Sequence, residues 1–219
     1  MVDHAVILDM DGVLVLSGPA HYQAWSMVAT EHGVELSHER FLSFNGMVNA
    51  DICLRLFGER STPAFAAAIA DRKERAYRDA IAHEVPLAPS CRAVLQQFQA
   101  ARVPLAVGTS GPKANVDRVL DGGGIRPFFG AVVHADLVQR GKPAPDIFLR
   151  AAEMLGMAPG RCVVIEDAPS GIRAAHAAGM RVLGITTNHS EAELRDERAH
   201  AIVSSFADLS PALVRSVLG

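Results

Sequence analysis

Ala5-Val6-Ile7-Leu8-Asp9-Met10-Asp11-Gly12 decides how the rest of the chain is read. An unbroken apolar run of this length, without polar alternation, describes a strand buried on both faces inside a parallel sheet. Such a strand ends at the carboxyl edge of its sheet, where open α/β folds collect their ligands. Two carboxylates placed there repel each other unless a cation or a shared proton intervenes. Folding alone gives no reason to set Asp9 and Asp11 in that place; chemistry does.

After Gly12 the pattern changes period. Residues 20–32 have the apolar spacing of a helix that Gly33 ends. Asn45-Gly46 marks a turn, residues 47–57 read as a second helix, and Ser61-Thr62-Pro63 gives a capped start for a third over 64–83. From Pro86 onward the character reverses. Buried-strand runs recur at 103–107, 131–133, 162–165, 182–185 and 201–203, separated by helical stretches at 90–101, 113–121, 145–155, 170–178 and 191–197. Strand-helix alternation of this kind predicts a parallel sheet covered on both faces. The fold expected is therefore α/β: a Rossmann-like parallel-sheet core over 1–16 and 86–219, with an all-helical cap, 17–85, inserted after the first strand.

Composition bounds the function. The 219 residues are 49% hydrophobic and 21% charged, ordinary for a packed globule. A formal net charge of −3 without a dense Lys/Arg block gives no reason to expect nucleic acid or an anionic membrane as partner. Cys53, Cys91 and Cys162 are widely spaced and read as buried reduced thiols. The chain opens directly on a strand, without a signal-peptide pattern or a run of membrane-spanning length. A cytoplasmic enzyme, monomeric by default, is the expectation.

Four groups fall at strand ends: Asp9 with Asp11; Thr109 with Ser110 and Gly111; Lys142 ahead of Pro143-Ala144-Pro145-Asp146; and Glu166 with Asp167. If the strands are parallel, the four converge on one rim. Carboxylates with one lysine make a hard-oxygen site suited to Mg2+ rather than zinc or copper. A hydroxyl and the backbone amides at the next helix start suit phosphate oxygens. Phosphoryl transfer needs this positioning and charge neutralisation, and a carboxylate nucleophile is one solution to it.

These four stretches resemble the motifs of the haloacid dehalogenase superfamily. Asp9-Met10-Asp11-Gly12-Val13-Leu14 is similar to the first, Val107-Gly108-Thr109-Ser110 to the second, Gly141-Lys142-Pro143-Ala144-Pro145-Asp146 to the third and Val164 to Ile172 to the fourth. The helical insert, with Pro19 to Trp25, resembles the cap of the β-phosphoglucomutase and phosphoglycolate phosphatase branch. The resemblance implies Asp9 as nucleophile and Asp11 as general acid/base. It implies Thr109, Ser110 and Gly111 around the phosphoryl group, and Lys142 steadying the charge on Asp9. Mg2+ would be held by Asp9, the Asp11 carbonyl, Glu166 and Asp167. In the cap it implies substrate contacts from Gly46, His21 and Lys73.

Other readings sit beside these. Thr109 and Ser110 also suit a helix cap, and Asp146 reads as a structural acid in a first helical turn. His21 could simply pack on Trp25, four residues along one helix face. Lys73, within Asp71-Arg72-Lys73-Glu74-Arg75, reads as a solvated helix charge. Where mutases resembling this chain carry a basic pair near the cap turn, Asn45 and Asn49 stand here; Leu16 replaces an acid after the first motif. The expectation is a Mg2+-dependent phosphatase acting on a small phosphorylated metabolite through an aspartyl-phosphate, with a hexose-phosphate mutase as the alternative. A receiver domain is disfavoured by the inserted cap, and a silent binding module by the completeness of the motifs.

Overall fold

Short apolar runs become strands because each is buried on both sides and pairs in parallel with its neighbours. A computed structural model describes residues 3–44 and 47–219. In chain order the elements are β1 (Ala5–Leu8), α1 (Gly18–Glu31), α2 (His38–Leu42), α3 (Asn49–Phe57), α4 (Pro63–Ala80), α5 (Cys91–Ala100), β2 (Leu105–Gly108), α6 (Lys113–Gly122), β3 (Ala131–Val133), α7 (Asp146–Met154), β4 (Cys162–Glu166), α8 (Pro169–Ala177), β5 (Arg181–Ile185), α9 (Glu191–Asp196), β6 (Ala201–Val203) and α10 (Pro211–Leu218). Contacts divide the chain into two compact units, Met1–Leu16 with Pro86–Gly219, and Ser17–Val85.

The first unit is built on a sheet of order β3-β2-β1-β4-β5-β6, every neighbouring pair parallel. Its strand order reverses at β1, so the crevice between the carboxyl ends of β1 and β4 is the topological switch point, where open α/β sheets hold ligands. Leu8 pairs with Val107 on one side and Ile165 on the other, which brings Asp9 into step with Glu166. All four β1 residues are wholly buried. Alternation along the strands sends Ala5, Ile7, Ala106, Val164 and Val182 into one core with Phe148 of α7, Ile172 and Ala175 of α8 and Leu194 of α9. Where the chain leaves and re-enters this unit, Leu16 N–H donates to the Pro86 carbonyl at 2.8 Å and Ala88 N–H to that of Leu14 at 2.9 Å.

The second unit is helical among the described residues: α1 to α4 with one 3₁₀ turn, Gly58–Arg60. Its core joins Trp25, Val28 and Ala29 of α1 to Phe41, Ile52, Leu56, Phe57 and Ile69. Thr62 caps α4 by accepting the Phe65 N–H. Helical spacing in the sequence predicts neither α2 nor α10; both are short, and Ser37 and Ser210, which cap them, are their local signals. The Asn45-Gly46 turn lies outside the described residues.

Burial pushes the thiol pKa values up, that of Cys91 to about 12, and all three cysteines are free and buried. Among the described residues no helix is long and apolar enough to cross a membrane.

Phe148 is wholly buried, in the core beneath β1 and β2. Truncation to alanine is expected to cost about 3–5 kcal/mol in urea-induced unfolding, the range for a buried aromatic ring. A loss under about 1 kcal/mol would mean the site collapses around the cavity.

Candidate functional site

The polar atoms at the switch point are assembled by the strands that end there. The Lys142 Nζ lies 2.6 Å from Asp9 Oδ1 and 2.6 Å from Glu166 Oε1, with side-chain exposures of 6%, 9% and 2% for the three. The remaining Glu166 oxygen, Oε2, accepts the N–H groups of Asp167 and Ala168, both at 2.9 Å. Glu166 is thereby fixed from both ends. The space for its head comes from Gly171, because a Cβ there would fall 1.7 Å from Glu166 Oε1. The Lys142 ammonium also sits 4.8 Å from the centre of the Phe148 ring, which fixes it to the core.

Asp167 follows at the end of β4, 3% exposed. Ligand oxygens of Asp9, Glu166 and Asp167 all lie within 4.8 Å of one another. Thr109 is buried and its Oγ1 accepts the Gly111 N–H at 3.1 Å. A Cβ built on Gly111 would come within 3.5 Å of Thr109 Oγ1 and 3.8 Å of Asp11 Oδ2, so the loop after β2 and the loop after β1 meet. Ser110 is exposed and Asp11 half-buried. Asp146 pairs with Arg140 at 2.7 Å, a structural tie at the start of α7.

Burial, and after it the crowding of like charges, raises the carboxyls of this cluster. Burial pushes the Asp9 carboxyl up to about 7; Glu166 and Asp11 push in the same direction and Lys142 opposes them. Asp167 is also raised well above the carboxylate range, by burial first and then by Glu166 and Asp9. Burial alone would lower Lys142, but Asp9 and Glu166 outweigh it and hold the amine protonated. One lysine therefore faces more acid than it can neutralise. Clustered buried carboxylates, a hard-oxygen donor set short of positive charge, fit a divalent cation such as Mg2+.

The helical unit carries a second polar cluster. Lys73 is 4% exposed, which corrects the solvated-charge reading of the Asp71 to Arg75 run. Its position on the inner face of α4 buries it among aromatic rings: its Nζ sits 5.7 Å from Trp25 and 5.8 Å from Tyr77. The ammonium donates to His21 Nδ1 at 3.0 Å and to Glu74 Oε1 at 2.9 Å. Asn49 Nδ2 donates to the same Glu74 oxygen at 2.9 Å. His21 stacks on Tyr77, ring centres 4.1 Å apart, rather than merely packing on Trp25. Gly46 lies outside the described residues. Glu74, Asn188, His189 and Gly171 were missed by sequence reasoning. Asn188 and His189 could have been found, since Thr186-Thr187-Asn188-His189 follows a buried strand at the same carboxyl edge.

A family model of haloacid dehalogenase-like hydrolases matches residues 4–179. The chain is 35% identical over 180 residues to fructose-1-phosphate phosphatase YqaB of Escherichia coli, covering 82% of this chain and 95% of that protein. To hexitol phosphatase A of the same organism it is 38% identical over 182 residues, 82% and 81% of the two chains. Among solved structures, β-phosphoglucomutase from Clostridium difficile superimposes with a TM-score of 0.85 at 25% identity, over 100% of this chain and 97% of that one.

Crowded carboxyls make a stability test. A carboxyl whose pKa is higher folded than unfolded favours the fold while protonated. That contribution is present below about pH 4 and is lost as pH rises through the folded values, near 7 for Asp9. Asp167→Asn is therefore expected to raise the metal-free melting temperature at pH 8, by roughly 2–4 °C per kcal/mol of repulsion relieved. The gain should shrink toward pH 4 and on adding MgCl2. A lower melting temperature at pH 8 would contradict the crowding.

Proposed function

We propose that this chain, which belongs to the haloacid dehalogenase-like hydrolase family, is a Mg2+-dependent phosphatase that releases phosphate from small monophosphorylated sugars or polyols through an aspartyl-phosphate on Asp9. The observation that carries the reading is the Lys142 ammonium 2.6 Å from both Asp9 and Glu166, beside Asp167, at the switch point of the sheet.

The residues divide the work. Asp9 attacks phosphorus as a carboxylate, forming a P–O bond as the bond to the leaving oxygen breaks. Lys142 favours the ionised form of Asp9 and offsets the negative charge that approaches it. The Thr109 oxygen already accepts from Gly111, so its hydroxyl hydrogen is left to donate to the phosphoryl group, with the Ser110 N–H beside it. Asp11 protonates the leaving oxygen. It then takes a proton from the water that attacks phosphorus and frees Asp9. Asp9, Asp167 and the Asp11 carbonyl would hold Mg2+, with Glu166 completing the acid set and anchoring Lys142. The cation, when bound, supplies neutralising charge to the phosphoryl oxygens.

Selection among substrates is assigned to the helical unit, 17–85, as a cap. Lys73 there is not a free cation: Glu74 cancels its charge, and Glu74 also holds Asn49. A lysine answered by Glu74 in this way suits hydroxyl groups better than a second phosphate. This favours the phosphatase over a mutase, which must bind a bisphosphate. The names of the two E. coli relatives, which act on fructose 1-phosphate and hexitol phosphates, point the same way.

Phosphate release from a panel of sugar and polyol monophosphates with MgCl2 tests the reading. Turnover is expected to vanish with EDTA and to fall at least about a thousandfold in Asp9→Asn. Sustained conversion of β-glucose 1-phosphate with a bisphosphate primer, and negligible phosphate release, would overturn it. Glu74→Gln uncovers the Lys73 charge and is expected to raise kcat/KM for bisphosphates relative to monophosphates several-fold. An unchanged ratio would remove Glu74 from substrate selection.

A further inference from the structure

The loop after β5 reaches back to the acid cluster and grips one member of it. Asn188 Nδ2 donates to Asp167 Oδ2 at 2.6 Å. His189 Nδ1 lies 3.0 Å from the Asp167 carbonyl oxygen; a carbonyl only accepts, so that nitrogen carries the proton. Gly12, at φ +82°, packs so closely against this pair that a Cβ would fall 2.0 Å from Asp167 Oδ2 and 2.6 Å from Asn188 Nδ2. The glycine both supplies the left-handed turn after Asp11 and makes room for this amide-carboxylate pair. Asp167 is thus held by its main chain and by one oxygen of its side chain. Among the described residues its other oxygen, Oδ1, takes no hydrogen bond.

A carboxylate tied in this way has a restricted repertoire. Mg2+ demands near-octahedral coordination and takes a carboxylate through one oxygen. Ca2+ is larger, accepts more ligands and often takes both oxygens of one carboxylate. An amide donor on Oδ2 takes one of that oxygen's lone pairs, which leaves the one-oxygen mode open and weakens the two-oxygen mode.

We infer that Asn188 is a positioning residue that makes Asp167 a one-oxygen ligand, and that it thereby sets the preference of the site for Mg2+ over Ca2+. The inference rests on the reading of Asp167 as a metal ligand. It adds a selectivity device in a loop outside the four motifs. The exposed position of Asn188 makes it suitable for substitution without loss of the fold.

The test is calorimetric titration of the whole protein with MgCl2 and, separately, CaCl2, for the wild type, Asn188→Ala and Asn188→Asp. Both substitutions remove the donor on Oδ2; the second also adds a carboxylate, which strengthens cation binding and by itself favours the larger Ca2+, so Asn188→Ala carries the decision. The ratio of Mg2+ to Ca2+ affinity is expected to fall about tenfold in both variants, the usual scale for residues that orient metal ligands. A ratio equal to the wild type, whether both affinities stand or fall together, would overturn the inference while leaving the phosphatase reading intact. A wild-type protein that binds neither cation would overturn the cofactor assignment and this inference with it.

Discussion

The core of this molecule is arranged around one buried ammonium. Lys142 lies 2.6 Å from both Asp9 and Glu166, with almost no solvent to share its charge. Removing an ion from water is costly, so a buried lysine is tolerated only when its hydrogens and its charge are met. Two carboxylates meet them here, and their demands shape the surroundings. Glu166 must be immobile, which explains its two backbone N–H bonds and the glycine at 171. Asp9 must stand in register with Glu166, which the β1-β4 pairing imposes. The acids of the cluster still outnumber the lysine, and burial first, then Glu166 and Asp11, raises the Asp9 carboxyl against the pull of Lys142. A site with spare negative charge is unsatisfied by folding alone, and a divalent cation would supply the charge it lacks.

The parts legible in the sequence were those with local causes. A continuous apolar run stopped by a charge gives a buried strand and its end, so β1, β4 and the residues Asp9, Glu166 and Asp167 could be read directly. Helical spacing and breakers separated 17–85 from the α/β portion. What could not be read depends on pairs distant in sequence. Nothing near Lys73 says that α4 turns it inward onto Trp25, Tyr77 and His21. The charges flanking it, Arg72 and Arg75, do face solvent, bonded to Glu31 and Asp71, and the run looks uniform until it is wound into a helix. Asn188 was equally hidden, since its meaning lies in an aspartate that precedes it by a full strand-helix unit.

The two compact units divide the chemistry by chemical character. The α/β unit holds fixed charges at strand ends, where the rigid sheet gives the positional accuracy that phosphoryl transfer requires. The helical unit holds a polar cluster on side chains of α1, α3 and α4, where single substitutions change hydrogen bonding without disturbing a strand. On the proposed reading, such a separation would let leaving-group preference vary while the reacting groups stay fixed. In the helical unit the Lys73 ammonium is answered by Glu74, a cation neutralised inside its own unit.

The central claim is that Asp9 becomes the phosphoryl carrier. Acid-quenching the enzyme during turnover with Mg2+ and a sugar monophosphate, followed by peptide mass spectrometry, tests it most directly. A phosphoryl group on Asp9 and nowhere else is the expected result. Steady turnover with no covalent phosphate, or with phosphate on another side chain, would contradict it.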